Sequence, residues 1–182
     1  MKHRGRYWLT MCLFTCCLAA GLVGGNLADN FEAHASLLKV GSLCGKGEKV
    51  VFSCSVKGSS KIVSLCSSIK LTKTEGYLQY RFGLPGKIEL EYPKERAGSL
   101  KQFEYSHYFR AQVDRTTISF SVNGYSYSIF DNYEGEEKPI VWDEGLTVTS
   151  PDSKKDVTYS CRGRAKADFG DLPDVMENKF PI

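Results

Sequence analysis

The sequence predicts an all-β fold: an antiparallel sandwich or partly closed barrel of about eight or nine strands, stapled by disulfides. Three observations carry that prediction. Apolar and polar residues alternate over several short runs, the hairpin dipeptide Asn123-Gly124 separates two of them, and four cysteines lie downstream of an export-type N-terminus. No helical period of apolar residues runs long enough to compete, and the chain carries no internal repeat or low-complexity tract.

Met1–Arg6 supplies Lys2, Arg4 and Arg6, and Tyr7–Val23 is an uncharged apolar run. These are the n-region and h-region of a signal peptide over 1–25, with cleavage expected between Gly21 and Ala35. Candidate exits are the small residues at Ala19/Gly21 and Val23/Gly25 and the A-x-A match Ala33-His34-Ala35. Leu13-Phe14-Thr15-Cys16 has the outline of a bacterial lipobox, but Phe14 and Thr15 are poor at their positions, so a lipid anchor on Cys16 is the lesser alternative to a periplasmic or secreted protein. The apolar run is short for a bilayer span, and no membrane span is expected after cleavage. Removing 1–35 takes away Lys2, Arg4, Arg6, Asp29 and Glu32, moving the formal charge from +3 to +2. That balance implies no nucleic acid partner. The roughly 147 residues left suit a single β-domain over 40–164, with 165–182 as an acidic C-terminal tail, flexible or loosely docked.

The first hairpin pairs Glu48–Val56 with Lys61–Ser67 around Lys57-Gly58-Ser59-Ser60. It holds Cys44, Cys54 and Cys66; Cys161 lies far downstream. Structural zinc sites bring ligands in close pairs such as C-x-x-C, which this spacing lacks, so no metal and no other cofactor is expected. Four cysteines allow three pairings; the expected one ties Cys54 to Cys161 and Cys44 to Cys66 across the hairpin base.

Leu78, Tyr80 and Phe82 alternate with Gln79 and Arg81, and Ile88, Leu90 and Tyr92 with Lys87, Glu89 and Glu91: two half-buried strands. Placing both apolar sets on one face needs an odd-length loop through Gly83-Leu84-Pro85-Gly86, whereas Pro85-Gly86 alone suggests a two-residue turn. In the next segment the Asn123-Gly124 turn pairs Val122 with Tyr125, Phe120 with Tyr127 and Ile118 with Ile129 on one face. A second turn at Asp114-Arg115 is expected to set Ala111 beside Ile118, Phe109 beside Phe120 and His107 beside Val122. Asp131–Lys138 reads as an acidic loop without the spacing of a calcium loop. Pro139–Ser150 holds a strand or two around Trp142 and Leu146–Val148, and Asp156–Arg162 the last strand.

His107 is the one histidine left once His3 and His34 are removed, and its parity points inward, as for a core-edge histidine and not a catalytic one. There is no G-x-G-x-x-G, Walker A, H-E-x-x-H or G-x-S-x-G motif; Gly45-Lys46-Gly47 lacks the context of a phosphate loop, and Asp168-Phe169-Gly170 has no accompanying kinase signatures. Glu89 and Glu91, at i and i+2 on a charged strand face, have the pattern of a solvated edge more than of a catalytic pair. The candidate binding face, whose composition equally suits an ordinary solvated sheet face, is the one opposite the core, where Tyr108, Arg110 and Gln112 would lie beside Ser119, Ser121, Ser126 and Ser128. There an aromatic ring and a guanidinium amid small hydroxyls could stack on a flat group and grip a carboxylate.

On the stretches FSCSVKGSSKIVSLCSS and GYLQYRFGLPGKIELEYP the chain resembles a group of small exported bacterial proteins of unknown function sharing an FSC…KxVSxC…GYLQYRxG…ELxYP pattern. The resemblance implies an exported domain with paired cysteines and transfers no activity. A looser likeness is to bacterial periplasmic lysozyme inhibitors, also small disulfide-tied β-barrels, whose Ser-Gly-x-x-Tyr and Thr-Lys-Gly binding elements have no counterpart here. The expected function is non-catalytic binding of an envelope protein or glycan in the bacterial cell envelope. The alternatives are a hydrolase acting on envelope polymers through carboxylates such as Glu89, Glu91 or the acidic loop, and a purely structural envelope component.

Overall fold

Two antiparallel meanders follow each other along the chain and pack face to face as a sandwich. The structure, a computed structural model, describes residues 41–152 and 156–180. The expected signal peptide, its cleavage region and Cys16 lie outside the described residues. The first sheet runs β1 (Glu48–Ser55), β2 (Ile62–Ser68), β3 (Leu78–Leu84) and β4 (Lys87–Tyr92). The second runs β5 (Glu104–Arg110), β6 (Val113–Val122), β7 (Tyr125–Glu134), β8 (Val141–Thr149) and β9 (Asp156–Ser160). A short β10 (Lys166–Ala167) then returns to pair with β1, giving each sheet five strands with open edges; neither sheet closes into a barrel. Among the described residues no helix is long and apolar enough to cross a membrane.

The core lies where the alternating apolar residues of both sheets meet. Phe52, Val63, Leu65, Leu78 and Tyr80 come from the first sheet and Ile118, Phe120, Ile129 and Leu146 from the second. Five aromatic rings join its upper end: Phe120 stacks on Tyr127 at 4.9 Å and on Tyr92 at 5.0 Å, while Tyr80 and Phe103 tilt against Phe120 at 4.9 and 5.3 Å. Burial pushes the Tyr80 hydroxyl well above the usual tyrosine range.

The β3–β4 hairpin satisfies both sequence arguments at once. Leu84 pairs with Lys87 around the two-residue Pro85-Gly86 turn, and a bulge, in which Glu89 is the extra residue, restores Phe82 opposite Leu90 and Tyr80 opposite Tyr92. Gly83 sits at this bulge with φ 147°, where a Cβ would lie 2.5 Å from the Lys87 carbonyl oxygen. The Asn123-Gly124 turn has φ 53° and 81°, as type I′ requires, and the β6–β7 register is the expected one, Phe120 opposite Tyr127 and Ile118 opposite Ile129.

Four expectations are corrected. The β5–β6 turn falls at Ala111-Gln112, not Asp114-Arg115, so His107 faces Thr116, Phe109 faces Asp114 and Tyr105 takes the place opposite Ile118. Gln112 adopts φ 63° and the hairpin closes six positions from the expected register. The shift is even, so face assignments survive while neighbours change. Second, Asp131–Glu134 is strand, not loop; only Gly135–Lys138 turns. Third, the described part of the expected tail, 165–180, does not lie loosely outside the domain. Beyond β10, Phe169 packs at the core, a one-turn helix α1 (Leu172–Val175) buries Leu172, and Asn178 and Lys179 bond to β5. Fourth, β3 is buried on both faces, Gln79 and Arg81 included.

That last burial is the work of the segment Gly41–Gly47, which crosses the outer side of the first sheet and is pinned by the Cys44–Cys66 disulfide. Beneath it, all five Arg81 N–H groups find acceptors. Nε donates to Glu91 (2.9 Å), Nη1 to the Leu43 carbonyl (3.0 Å) and Glu48 (2.5 Å), and Nη2 to Glu48 (2.9 Å) and Gln79 (2.6 Å). Glu48 also accepts from the Gly45 N–H and from the Tyr77 hydroxyl at 2.7 Å. Burial opposes Glu48 ionisation, but the Arg81, Tyr77 and Gly45 donors outweigh it and hold the carboxyl down at about 2. Among the described residues no buried side-chain nitrogen or oxygen lacks a partner.

The second disulfide, Cys54–Cys161, joins the sheets at the corner where the chain passes from β9 to the first sheet. Its corner is also hydrogen bonded: Lys57 N–H donates to Ser160, Arg162 N–H to Ser55 and Cys161 N–H to Glu144.

Two predictions come from this frame. Glu48 is depressed in the fold, so its stabilisation is present above its unfolded value near 4.5 and is lost as pH falls toward about 2. Asp131 titrates in the opposite sense over the same range, so the Glu48 share is read as the stability difference between wild type and Glu48→Gln in urea unfolding. That difference should favour the wild type at pH 7 and shrink by about 2 kcal/mol at pH 3; an equal difference at both pH values would remove Glu48 as the titrating group. Separately, Cys54→Ala or Cys161→Ala should lower stability by about 2 to 5 kcal/mol, and alkylation of the unreduced mature protein, followed by intact mass, should add nothing.

Candidate functional site

The central strands of the second sheet outreach those of the first: β6 and β7 run ten residues each and β8 nine, against six to eight for β1–β4. At 3.3 to 3.4 Å per residue the overhang is about 7 to 14 Å. On its inner face the apolar alternation stops. Below the row Tyr105–Ile118–Ile129–Leu146 come His107–Thr116–Asp131–Glu144 and then Phe109–Asp114–Tyr133–Trp142, each read across β5, β6, β7 and β8. The same periodicity that builds the core therefore carries four ionisable groups inward where the opposite sheet ends.

Phe169, from the segment after β10, roofs this patch. The result is a cavity of about 150 Å³ lined by Asp114, Thr116, Asp131, Tyr133, Trp142 and Phe169. Tyr133 and Trp142 tilt together at 4.5 Å, and Phe169 stacks against the core through Phe52 at 6.5 Å. The walls are aromatic and the floor is carboxylate.

The three acids are not equivalent. Glu144 is buried and fixed by the Arg164 Nε at 2.9 Å and the Ala165 N–H at 2.8 Å, and the Arg164 guanidinium lies flat over Trp142, 3.2 Å from the ring centroid. Asp114 shares a 2.9 Å hydrogen bond with His107 Nε2, and the His107 backbone is clasped by the Asn178 side chain through bonds of 2.9 and 2.8 Å. Among the described residues Asp131 alone of the three has no cation within ion-pairing distance. Burial, reinforced by the negative Glu144 and only partly offset by Arg164, pushes its carboxyl up to about 6.

The residues singled out from sequence are dispersed. Tyr108 lies on the outer face, as parity required, but beside Arg115 (6.0 Å) and under Phe180 (4.9 Å). Arg110 is held by Glu136 through bonds of 2.6 and 2.7 Å, which raises its pKa further, and Gln112 is in the turn. Ser119 and Ser121 are at the other end of the sheet, where they border an open groove of about 420 Å³ with Tyr92, Gln102 and Glu104. The five do not form one site. Glu89 pairs with Lys61 at 2.7 Å and Glu91 with Arg81, so neither is a free carboxylate, and of the acidic stretch Glu134 is paired with Arg115 and Glu136 with Arg110. Cys44, Cys66 and Glu48 cluster within 4.8 Å, but the disulfide leaves that cluster no thiolate to offer a metal. Among the described residues no hydroxyl bonds to the His107 ring, so the serine or threonine of a nucleophile–histidine arrangement is missing.

The signal that could have found the cavity was present: carrying the Asn123-Gly124 register two steps past Ile118–Ile129 places Asp131 opposite Thr116 and Tyr133 opposite Asp114 on the core face. The chain matches no family model, no curated protein and no solved structure.

Asp131 is raised in the fold, so it lowers stability as pH climbs from its unfolded value near 4 through about 6. Asp131→Asn should therefore raise the unfolding free energy by about 2 kcal/mol at pH 7.5 and by little at pH 4. Equal effects at both pH values would show that Asp131 does not titrate as placed.

Proposed function

We propose that this chain is a non-catalytic binding protein of the bacterial cell envelope and that the end cavity is its binding site. The observation that carries the reading is a concave site with aromatic walls and Asp131 left without a cation, in a domain that pairs its other buried charges. The export-type N-terminus, the two disulfides and the resemblance to small exported proteins support the location.

A hydrolase acting on envelope polymers is the second reading, favoured by one observation: a carboxyl pushed up to about 6 beside a second carboxylate is the state of a general acid. Against it, Glu144 is committed to Arg164 and Ala165, and among the described residues no second free carboxylate stands opposite Asp131 as base or nucleophile.

Capture from envelope extract by the immobilised mature domain separates these readings. Tyr133→Ala and Asp131→Asn should each weaken capture at least tenfold while Tyr108→Ala leaves it intact, with folding verified by the unfolding midpoint. Capture indifferent to the cavity variants sinks the site, and turnover of an envelope polymer that Asp131→Asn abolishes would establish the hydrolase instead.

A further inference from the structure

The cavity's own chemistry specifies what it takes, if it is the binding site. We propose that it is a socket for a single basic side chain, arginine or lysine, presented by a partner protein. The first argument is charge complementarity. Asp131 stands opposite Glu144 across β7 and β8, and Asp114 lies one row further along on β6, opposite Tyr133; among the described residues the basic groups beside them are Arg164, which Glu144 already holds, and His107 against Asp114. Three carboxylates against two basic groups leave the site a net negative charge, and Asp131 is the carboxylate without an ion-pair partner.

The second argument is that the chain already demonstrates the fit. Arg164 enters from the edge, lays its guanidinium on Trp142 and donates to Glu144. Asp131 stands opposite Glu144 in the β7–β8 ladder, and Tyr133 stands beside Trp142. Asp131 and Tyr133 both line the cavity, so it offers an incoming cation the same two kinds of group that hold Arg164, a carboxylate and an aromatic ring, and about 150 Å³ admits the end of one side chain and not a large ligand.

The third argument identifies a protein as the source. Phe109, Ile140 and Trp142 are exposed at this end of the sheet, 71%, 55% and 46% respectively. An apolar rim around a charged socket is what a protein surface covers, excluding water around a desolvated anchor; a free polyamine would leave it wet.

The test uses the full chain carrying Trp8→Phe, which leaves Trp142 as its one tryptophan and therefore a fluorescence reporter inside the site. Titration with butylguanidinium at pH 7.5 should give a saturable change, with the isosteric neutral butylurea at least tenfold weaker. Asp131→Asn should weaken butylguanidinium at least tenfold, and so should pH 5, where Asp131 is protonated among His107, Thr116, Asp114, Glu144 and Arg164. The peptide acetyl-Gly-Arg-Gly-amide should bind more tightly than butylguanidinium because its backbone reaches the rim. Equal binding of butylurea, or no response to any probe while capture from envelope extract still depends on Tyr133 and Asp131, overturns the cation assignment and leaves the cavity as the binding site. Binding of butylguanidinium with exclusion of the peptide overturns the protein source. Envelope capture indifferent to the cavity variants removes the site itself.

Discussion

The fold depends on one constraint: an ionisable group can leave water only if the chain supplies its partners. The inner face of the second sheet is apolar for half its length and charged for the other half, as Ile118, Ile129 and Leu146 give way to Thr116, Asp131 and Glu144. Sheet-on-sheet packing can proceed only over the apolar half. The sandwich therefore meets at one end of long strands and leaves the other end overhanging, to be covered by Phe169 and Arg164 of the returning chain. The cavity is what remains where apolar burial stops and pairing is incomplete.

The opposite side of the molecule shows the same rule followed to completion. The Arg81 and Glu48 side chains are only 5% and 6% exposed, yet every guanidinium N–H has an acceptor and the Glu48 carboxyl is held down at about 2. Removing either partner would strand a buried charge, so that cluster has a structural role: it fastens Gly41–Gly47 across the sheet. Asp131 differs in kind. Its ionisation is opposed by its surroundings, and the donor that would relieve it is not among the described residues. The contrast between a closed and an open charge cluster within one small domain is a stronger pointer to a site than either pKa direction alone.

Much of this was legible in the sequence where local chemistry decides. Asn123-Gly124 specified its turn type and, through it, three pairs of core residues, because a two-residue I′ hairpin leaves no freedom of register. The β5–β6 connection offered no such signal: Ala111-Gln112 is an unremarkable dipeptide, and Gln112 takes a left-handed conformation only because the surrounding strands demand it. Arg81 read as a solvent-facing residue because alternation reports what one face of a strand does; the covering of the other face by a segment far away in sequence has no periodic signature. Phe169 and Leu172 were hidden among acids and prolines for the same reason, and with them the roof of the cavity. Tyr108, Arg110, Ser119 and Ser121 were put on the correct face but at the wrong mutual distance, since parity survives an even slip in register and proximity does not.

The covalent frame reaches the cavity through a short path. Cys161 is tied to Cys54 by the disulfide, and its N–H donates to the Glu144 carbonyl; three residues on, Arg164 donates to the Glu144 side chain and covers Trp142. The corner that locks the two sheets together thus also sets where the paired half of the cavity sits, with Glu144 and Trp142 on β8 and Arg164 in the short segment between the disulfide and β10. A site built this way is preorganised, so little ordering remains to be done when an occupant enters, and the affinity of a single side-chain anchor is not spent on arranging its own socket. The arrangement also explains why the open half belongs to Asp131, in the middle of β7 with paired strands on both sides. There the backbone is held by ladders on both sides while the side chain has a carboxylate and no cation beside it, which is the condition under which a missing donor can be supplied from outside.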